Sequence, residues 1–150
     1  MADGGRDHHR RSADVTFTKW VVRGPADPST LAGVLMVGVV GGDVGDGRFA
    51  GKVLSDDTLS VPGFWLARVR YEFRGTEHSF VTNIHVTEDD TKLPITATIR
   101  GVVTKGWLTG ARVTGEYTQQ TSCPIATPGN VFGTICWQGT LHLQAGHGDD

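Results

Sequence analysis

The stretch FWLARVRYEFR, at residues 64–74, alternates between two kinds of side chain. Charged residues occupy every second position from Arg68 to Arg74. The positions between are apolar, namely Trp65, Ala67, Val69, Tyr71 and Phe73. Successive side chains of a β-strand point to opposite faces, so a period of two indicates a strand with one buried face. The stretch therefore predicts a strand whose register is strongly specified, because a slip of one residue would expose the whole apolar set.

The same alternation, interrupted by turn residues, extends along the chain and predicts eight strands. Gly-, Pro- and Asp-rich segments separate them, and such residues are typical of turns. The chain has 21 glycines, which favour curved sheet over helix because glycine weakens a helix interior. No segment shows a sustained helical period, so we predict no long helix. The predicted strands cover residues 14–22, 31–40, 48–54, 64–74, 77–87, 95–104, 107–118 and 131–143.

Short connections between long strands predict an antiparallel meander. An open sheet would leave two exposed edges, and closure removes both. We therefore predict an all-β fold, an eight-stranded antiparallel up-and-down barrel, with a two-sheet sandwich as the alternative. The predicted domain covers residues 14–144, flanked by disordered tails at 1–13 and 145–150.

Charge and hydropathy exclude several classes of function. The chain carries 14 basic and 16 acidic residues, and the basic ones are scattered, so no nucleic-acid partner is expected. The uncharged run at 31–42 is too short to span a bilayer, so no membrane partner is expected. The N-terminal arginines are not followed by an apolar signal core, and a cytoplasmic location is therefore expected.

Three features carry a resemblance to a known group of barrels. They are the meander at 31–143, the hairpin GDGRFAG at 45–51 and the segment GVVTKGWLTG at 101–110. On these features the chain resembles the superfamily of allene oxide cyclases and dirigent proteins, which includes small bacterial cyclases. The resemblance implies a barrel that binds a hydrophobic small molecule in its mouth. No catalytic motif of the family maps onto this sequence, so no catalytic residue is carried over.

Alternation places a set of aromatic and polar side chains inside the barrel. Tyr71 and Tyr117 are the predicted catalytic residues, because a phenol can donate a hydrogen bond or a proton to a ligand carbonyl. The alternative is a filled core, since aromatic residues also dominate ordinary cores. The predicted ligand-binding residues are Phe49, Trp65, His78, Phe80, Thr82, Trp107 and Trp137.

These side chains suggest a small-molecule cyclase or isomerase that acts without a cofactor on a hydrophobic, polyketide- or lipid-like substrate. It would act mainly by positioning the substrate. Two alternatives stay open. One is a non-catalytic barrel that binds an apolar small molecule, and the other is a structural domain whose surface binds a protein.

The remaining candidate features are weaker. Cys123 and Cys136 fit either a disulfide or two free thiols, and thiols are the usual state in a reducing compartment. No metal site is predicted, because His8, His9 and His147 do not supply the four fixed ligands of structural zinc. A homodimer is expected through apolar residues of the outer face, namely Phe64, Leu66, Leu108 and Phe132.

Overall fold

The regular elements of the described residues are β-strands. The structure, a computed structural model, describes residues 12–57 and 63–146. This part of the chain contains no helix long and apolar enough to cross a membrane. The strands are β1 Ser12–Arg23, β2 Leu35–Gly42, β3 Gly47–Asp57, β4 Phe64–Gly75, β5 Ser79–Asp89, β6 Thr96–Gly106, β7 Arg112–Gln120 and β8 Cys136–Gln144.

Each strand pairs antiparallel with its neighbours in the chain, and the sheet closes on itself. Closure comes from the pairing of β1 with β8, where Val15 lies opposite Leu141. The predicted all-β, eight-stranded antiparallel barrel is therefore confirmed. Closure satisfies the backbone of every strand without leaving an edge.

Several strand boundaries differ from the prediction. β1 begins at Ser12, inside the segment expected to be a tail, whereas residues 1–11 and 147–150, with His8, His9 and His147, lie outside the described residues. β7 begins at Arg112 rather than at 107, because Gly110 adopts a left-handed φ of 90° in a turn. β8 begins at Cys136 rather than at 131, since the preceding residues form turns.

One end of the barrel interior is filled by aromatic rings, and we call it the aromatic end. Phe73 and Phe80 stack with their centroids 4.7 Å apart, and Phe49 meets Phe73 edge-on at 5.3 Å. In the turns at this end, the half-buried rings of His78 and Trp107 stack with their centroids 3.9 Å apart. Such rings exclude water and pack closely, so this half of the barrel is a conventional core.

The opposite end carries the longer connections, and we call it the mouth. The connection from β7 to β8, residues 121–135, is tied to the barrel by a disulfide between Cys123 and Cys136. It also lies against β1, where Trp20 Nε1 donates a hydrogen bond of 2.9 Å to the Pro128 carbonyl. Of the two states that the sequence left open for the cysteines, the structure has the disulfide.

Candidate functional site

A cavity of about 250 Å³ opens between the aromatic end and the mouth. Its volume is just below the ~300–1,000 Å³ that is typical of pockets for drug-sized ligands. The wall is mainly apolar, and its aliphatic part consists of Val21, Val34, Met36, Val53, Val69 and Val86. The interior is therefore filled at one end and open at the other.

Lys19 is a basic side chain in the wall of this cavity. In β1 it shares its face with Val15, Phe17 and Val21, and it is only 4% exposed. Its Nζ donates a hydrogen bond of 2.6 Å to Tyr71 OH and lies 3.4 Å from Met36 Sδ. Both hydrogen-bond partners are uncharged, so the amine lies in an environment that disfavours its positive charge.

Aromatic faces surround the same amine. Lys19 Nζ lies 4.3 Å from the ring centroid of Tyr117, 4.9 Å from that of Tyr71 and 5.9 Å from that of Trp137. A cation within about 6 Å of such a ring is attracted by the negative face of the ring. The rings thus offset part of the cost of burying a charge at this position.

Burial sets the protonation of the cavity's side chains. It lowers the pKa of Lys19 from 10.5 to about 7, and the charge of Glu88 opposes part of this fall. Burial also raises the pKa of Tyr71 above its ordinary value of 10.0. Near neutral pH the phenol is therefore a hydrogen-bond donor, while the amine exists in both protonation states.

An acidic side chain, Glu88, lies on the mouth side of the Lys19 amine. Glu88 occupies the last inward position of β5 and accepts a hydrogen bond of 3.1 Å from Tyr117 OH. Burial raises the pKa of Glu88 to about 7, and a hydrogen bond with Asp90 adds to the rise. The cavity therefore holds an amine, a carboxyl group and two phenols within one mainly apolar wall.

Four of the predicted site residues line this cavity, namely Trp65, Tyr71, Tyr117 and Trp137. Trp65 and Trp137 are half-buried toward the mouth, and Trp65 Nε1 donates a hydrogen bond of 3.4 Å to Asp56 Oδ2. At the outer rim lie Pro25, Leu31 and Phe132. The two tryptophans and this rim therefore form the part of the cavity wall nearest the mouth.

The other predicted ligand-binding residues lie elsewhere. Phe49 and Phe80 are part of the aromatic end, and Thr82 is fully buried with its hydroxyl hydrogen-bonded to the Tyr71 carbonyl at 3.4 Å. The strand assignments of His78 and Trp107 were wrong, because β5 begins at Ser79 and Trp107 lies in the turn after β6. None of these five side chains lines the cavity.

The sequence prediction missed Lys19 and Glu88, although both carry a signal. Lys19 has the same strand parity as Val15 and Phe17, and this parity alone places it inside. Glu88 has the same parity as Ile84 and Val86, but the run Glu88-Asp89-Asp90 was interpreted as a turn. In both cases a charged residue at an inward position was the informative feature.

A larger depression of about 590 Å³ lies on the outer face of β7, β8, β1 and β2. Hydroxyl and amide side chains such as Thr16, Thr140 and Gln138 line much of it. Tyr117 lines both spaces, but Lys19, Tyr71 and Glu88, whose pKa values are also shifted, line the inner cavity and not this depression. We therefore place the candidate site in the smaller inner cavity.

Two further expectations concern a dimer contact and a metal site. Phe64 and Phe132 are exposed at the mouth, at 37% and 51%, whereas Leu108 packs against the core in the turn after β6, at the aromatic end. Leu108 therefore lies at the opposite end of the barrel from Phe64 and Phe132, while Leu66 is half-buried in β4, and the homodimer stays a prediction. Among the described residues, no group of three His, Cys, Asp or Glu side chains is placed to hold a metal ion.

The candidate site is thus an apolar cavity with an amine, a carboxyl group and two phenols inside a closed barrel. Comparison of the chain with models of known protein families, with curated proteins and with solved structures finds no match.

Proposed function

We propose that the protein is a cofactor-independent isomerase or cyclase that acts on a hydrophobic, polyketide- or lipid-like substrate in the barrel cavity. The observation that carries this proposal is the hydrogen bond of 2.6 Å between Lys19 Nζ and Tyr71 OH, inside a mainly apolar cavity. A pocket with a few placed polar groups in an apolar wall is the usual form of a small-molecule site.

The arrangement supplies an acid and a base from the chain's own residues. Tyr71 accepts a hydrogen bond from Lys19, so its own hydroxyl proton is free to point at a ligand carbonyl. Lys19, with a pKa of about 7, is suited to accept and return a proton near neutral pH. Proton transfer next to a polarised carbonyl moves a double bond or closes a ring without a cofactor.

The cavity also limits the substrate. A volume of about 250 Å³ accommodates the reacting part of a molecule, and a longer chain would extend past Leu31 and Phe132 at the rim. Membership of the allene oxide cyclase and dirigent superfamily is part of the proposal, and the closed eight-stranded barrel supports it. The same wall would serve a non-catalytic barrel, so turnover is the quantity to be measured.

The expected cytoplasmic location remains a prediction. The disulfide between Cys123 and Cys136 weighs against it, because disulfides persist mainly in oxidising compartments. A periplasmic or extracellular location would fit the disulfide better.

The test starts from protein purified from its natural source and analysed by native mass spectrometry. A molecule that co-purifies is extracted and returned to the pure protein, and its conversion is followed by NMR. In parallel, 3-cyclohexen-1-one serves as a small probe of double-bond migration. Conversion that falls in Tyr71→Phe and persists in Lys105→Met, a change at an exposed lysine, supports the proposal. Recovery of both compounds unchanged from the wild-type protein contradicts it and favours non-catalytic binding.

A further inference from the structure

Lys19 is set apart from the other lysines in the part of the chain that the structure describes. Lys52, Lys92 and Lys105 are exposed, whereas Lys19 is buried and opens into a cavity. Its hydrogen-bond partners are a phenol and a thioether. A buried lysine that forms no close ion pair and faces a mainly apolar space is a nucleophile with room for a reaction partner.

We infer that Lys19 forms a covalent imine with the carbonyl carbon of a neutral aldehyde or ketone bound in the cavity. This inference rests on the proposed function, because it assigns the same cavity to a carbonyl compound. It adds that the compound is held by a bond to Lys19 Nζ, and that the class of ligand is defined by an electrophilic carbonyl group.

Imine formation requires only the carbonyl compound and two side chains of the cavity, Lys19 and Glu88. The lone pair of neutral Lys19 Nζ attacks the carbonyl carbon, and the proton lost from nitrogen moves to the oxygen, which gives a carbinolamine. The Glu88 carboxylic acid then protonates the hydroxyl group, which leaves as water, while the nitrogen lone pair forms the C=N bond. The products are one water molecule, an iminium cation and the Glu88 carboxylate.

The cavity is suited to each product of this step. The iminium keeps its positive charge at the position where the rings of Tyr71, Tyr117 and Trp137 lie within 5.9 Å of Nζ. The carboxylate of Glu88 accepts the hydrogen bond of Tyr117. The charges form as a pair inside the cavity, and neither is left without a partner.

The charges at the mouth select against acidic ligands. Among the described residues that line the cavity, Glu88 and Asp90 are acidic and Lys19 is the only basic side chain. An anionic aldehyde would meet two carboxyl groups on entry and would lose hydration in a mainly apolar wall. The ligand class is therefore neutral and hydrophobic, which excludes keto acids.

The test uses the full chain and benzaldehyde as the probe, with cyanoborohydride to reduce the iminium to a stable benzylamine. Intact mass spectrometry counts the benzyl groups, and peptide mapping separates Lys19 from the exposed lysines and the terminal amine. We expect Lys19 to be the main site of labelling in the wild-type protein. Lys19→Met should lower labelling of the Lys19 peptide to background, and Lys105→Met should leave it unchanged.

A comparison within the wild-type protein keeps the test independent of how any variant folds. Glyoxylate is an aldehyde with a carboxylate, and we expect it to label Lys19 at least about tenfold less than benzaldehyde, because the mouth is acidic. Equal labelling of Lys19 and the exposed lysines by benzaldehyde would overturn the inference, as would preferential labelling by glyoxylate.

Failure of the inference is distinguishable from failure of the proposed function. Turnover of 3-cyclohexen-1-one without any labelling of Lys19 would contradict the imine and support acid–base catalysis by Tyr71 and Lys19. Labelling of Lys19 without turnover of any compound would support the imine and contradict the isomerase. Absence of both would overturn both.

Discussion

Lys19 and Glu88 line the same cavity, and the pKa of each is about 7. Burial moves the two values toward each other from 10.5 and 4.5. Near pH 7 each group is therefore about half protonated, and the two groups together bind about one proton. The stability of the barrel should therefore depend on pH through the protonation of Lys19 and Glu88.

We predict that the pair gives the barrel a minimum of stability near pH 7. Between pH 4.5 and about 7 the folded state keeps the Glu88 proton that the unfolded state releases, so stability falls as pH rises. Between about 7 and 10.5 the unfolded state keeps the Lys19 proton that the folded state has lost, so stability rises again. Urea unfolding across this pH range measures the curve.

The double variant Lys19→Met/Glu88→Gln isolates the contribution of this pair from that of other titrating groups. The difference between wild type and double variant should show the minimum. A difference that does not change with pH would contradict the assignment of these pKa values.

We predict that Lys19→Met alone stabilises the protein at pH 6, by about 1–4 kcal/mol, because an apolar side chain of similar length removes the cost of burying an amine. The free energy of unfolding in urea is the measured quantity. Lys105→Met, at an exposed position, serves as the control and should change stability by less than about 0.5 kcal/mol. A less stable Lys19→Met protein would show that the rings and Tyr71 more than offset the burial of the amine.

We predict that Tyr71→Phe lowers the pKa of Lys19 further. The phenol oxygen accepts a hydrogen bond of 2.6 Å from Nζ, and loss of an acceptor disfavours the charged form of the amine. The pH profile of benzaldehyde labelling should have its midpoint near 7 in the wild type and at lower pH in this variant. In Tyr117→Phe, which instead removes a donor to Glu88, the pKa of Glu88 should rise.

We predict that Gly139→Ala destabilises the barrel by about 1–3 kcal/mol. Gly139 pairs with Phe17 on one side and with Tyr117 on the other. A Cβ atom there would lie 2.2 Å from the Glu116 carbonyl oxygen and 2.8 Å from Phe17 Cζ. Thermal unfolding measures the effect, and Gly24→Ala, where a Cβ meets no atom within 4 Å, should leave the melting temperature nearly unchanged.

We predict that removing the disulfide costs about 3 kcal/mol of stability, from the chain entropy of a loop of this length. The bond joins residues that are 13 apart in the sequence. Urea unfolding of Cys123→Ala/Cys136→Ala against wild type measures the change. Because this loop carries Phe132 to the rim, benzaldehyde labelling of Lys19 should also become faster, and an unchanged rate would show that the loop does not restrict entry.

The sequence predicted the barrel well because strand alternation is a local signal. Tyr71 and Tyr117 were placed inside correctly by parity, and both are buried. Trp107 was misplaced because a turn that contains Leu108 in a left-handed conformation cannot be foreseen from alternation.

The cavity could not be predicted from local signals in the sequence. Lys19 and Tyr71 come from β1 and β4, and their contact is set by closure of the sheet and by the stagger of its strands. The parity of Lys19 was readable from β1, but the sequence prediction named only aromatic, histidine and threonine side chains for the site in the interior. One half of the interior is open because the large inward side chains are concentrated in the other half. Predicting this requires the register of all eight strands.

The stacked rings of Phe73 and Phe80 make the barrel a blind-ended chamber. Because these rings fill one end, the cavity in the described part of the chain lies toward the mouth, beside Trp65 and Trp137. Under the proposed function, substrate and product would use the same passage, and product bound in the cavity would compete with substrate for it. Under the proposed function, faster product release would have to come from a looser rim, because the rings of the described residues fill the aromatic end.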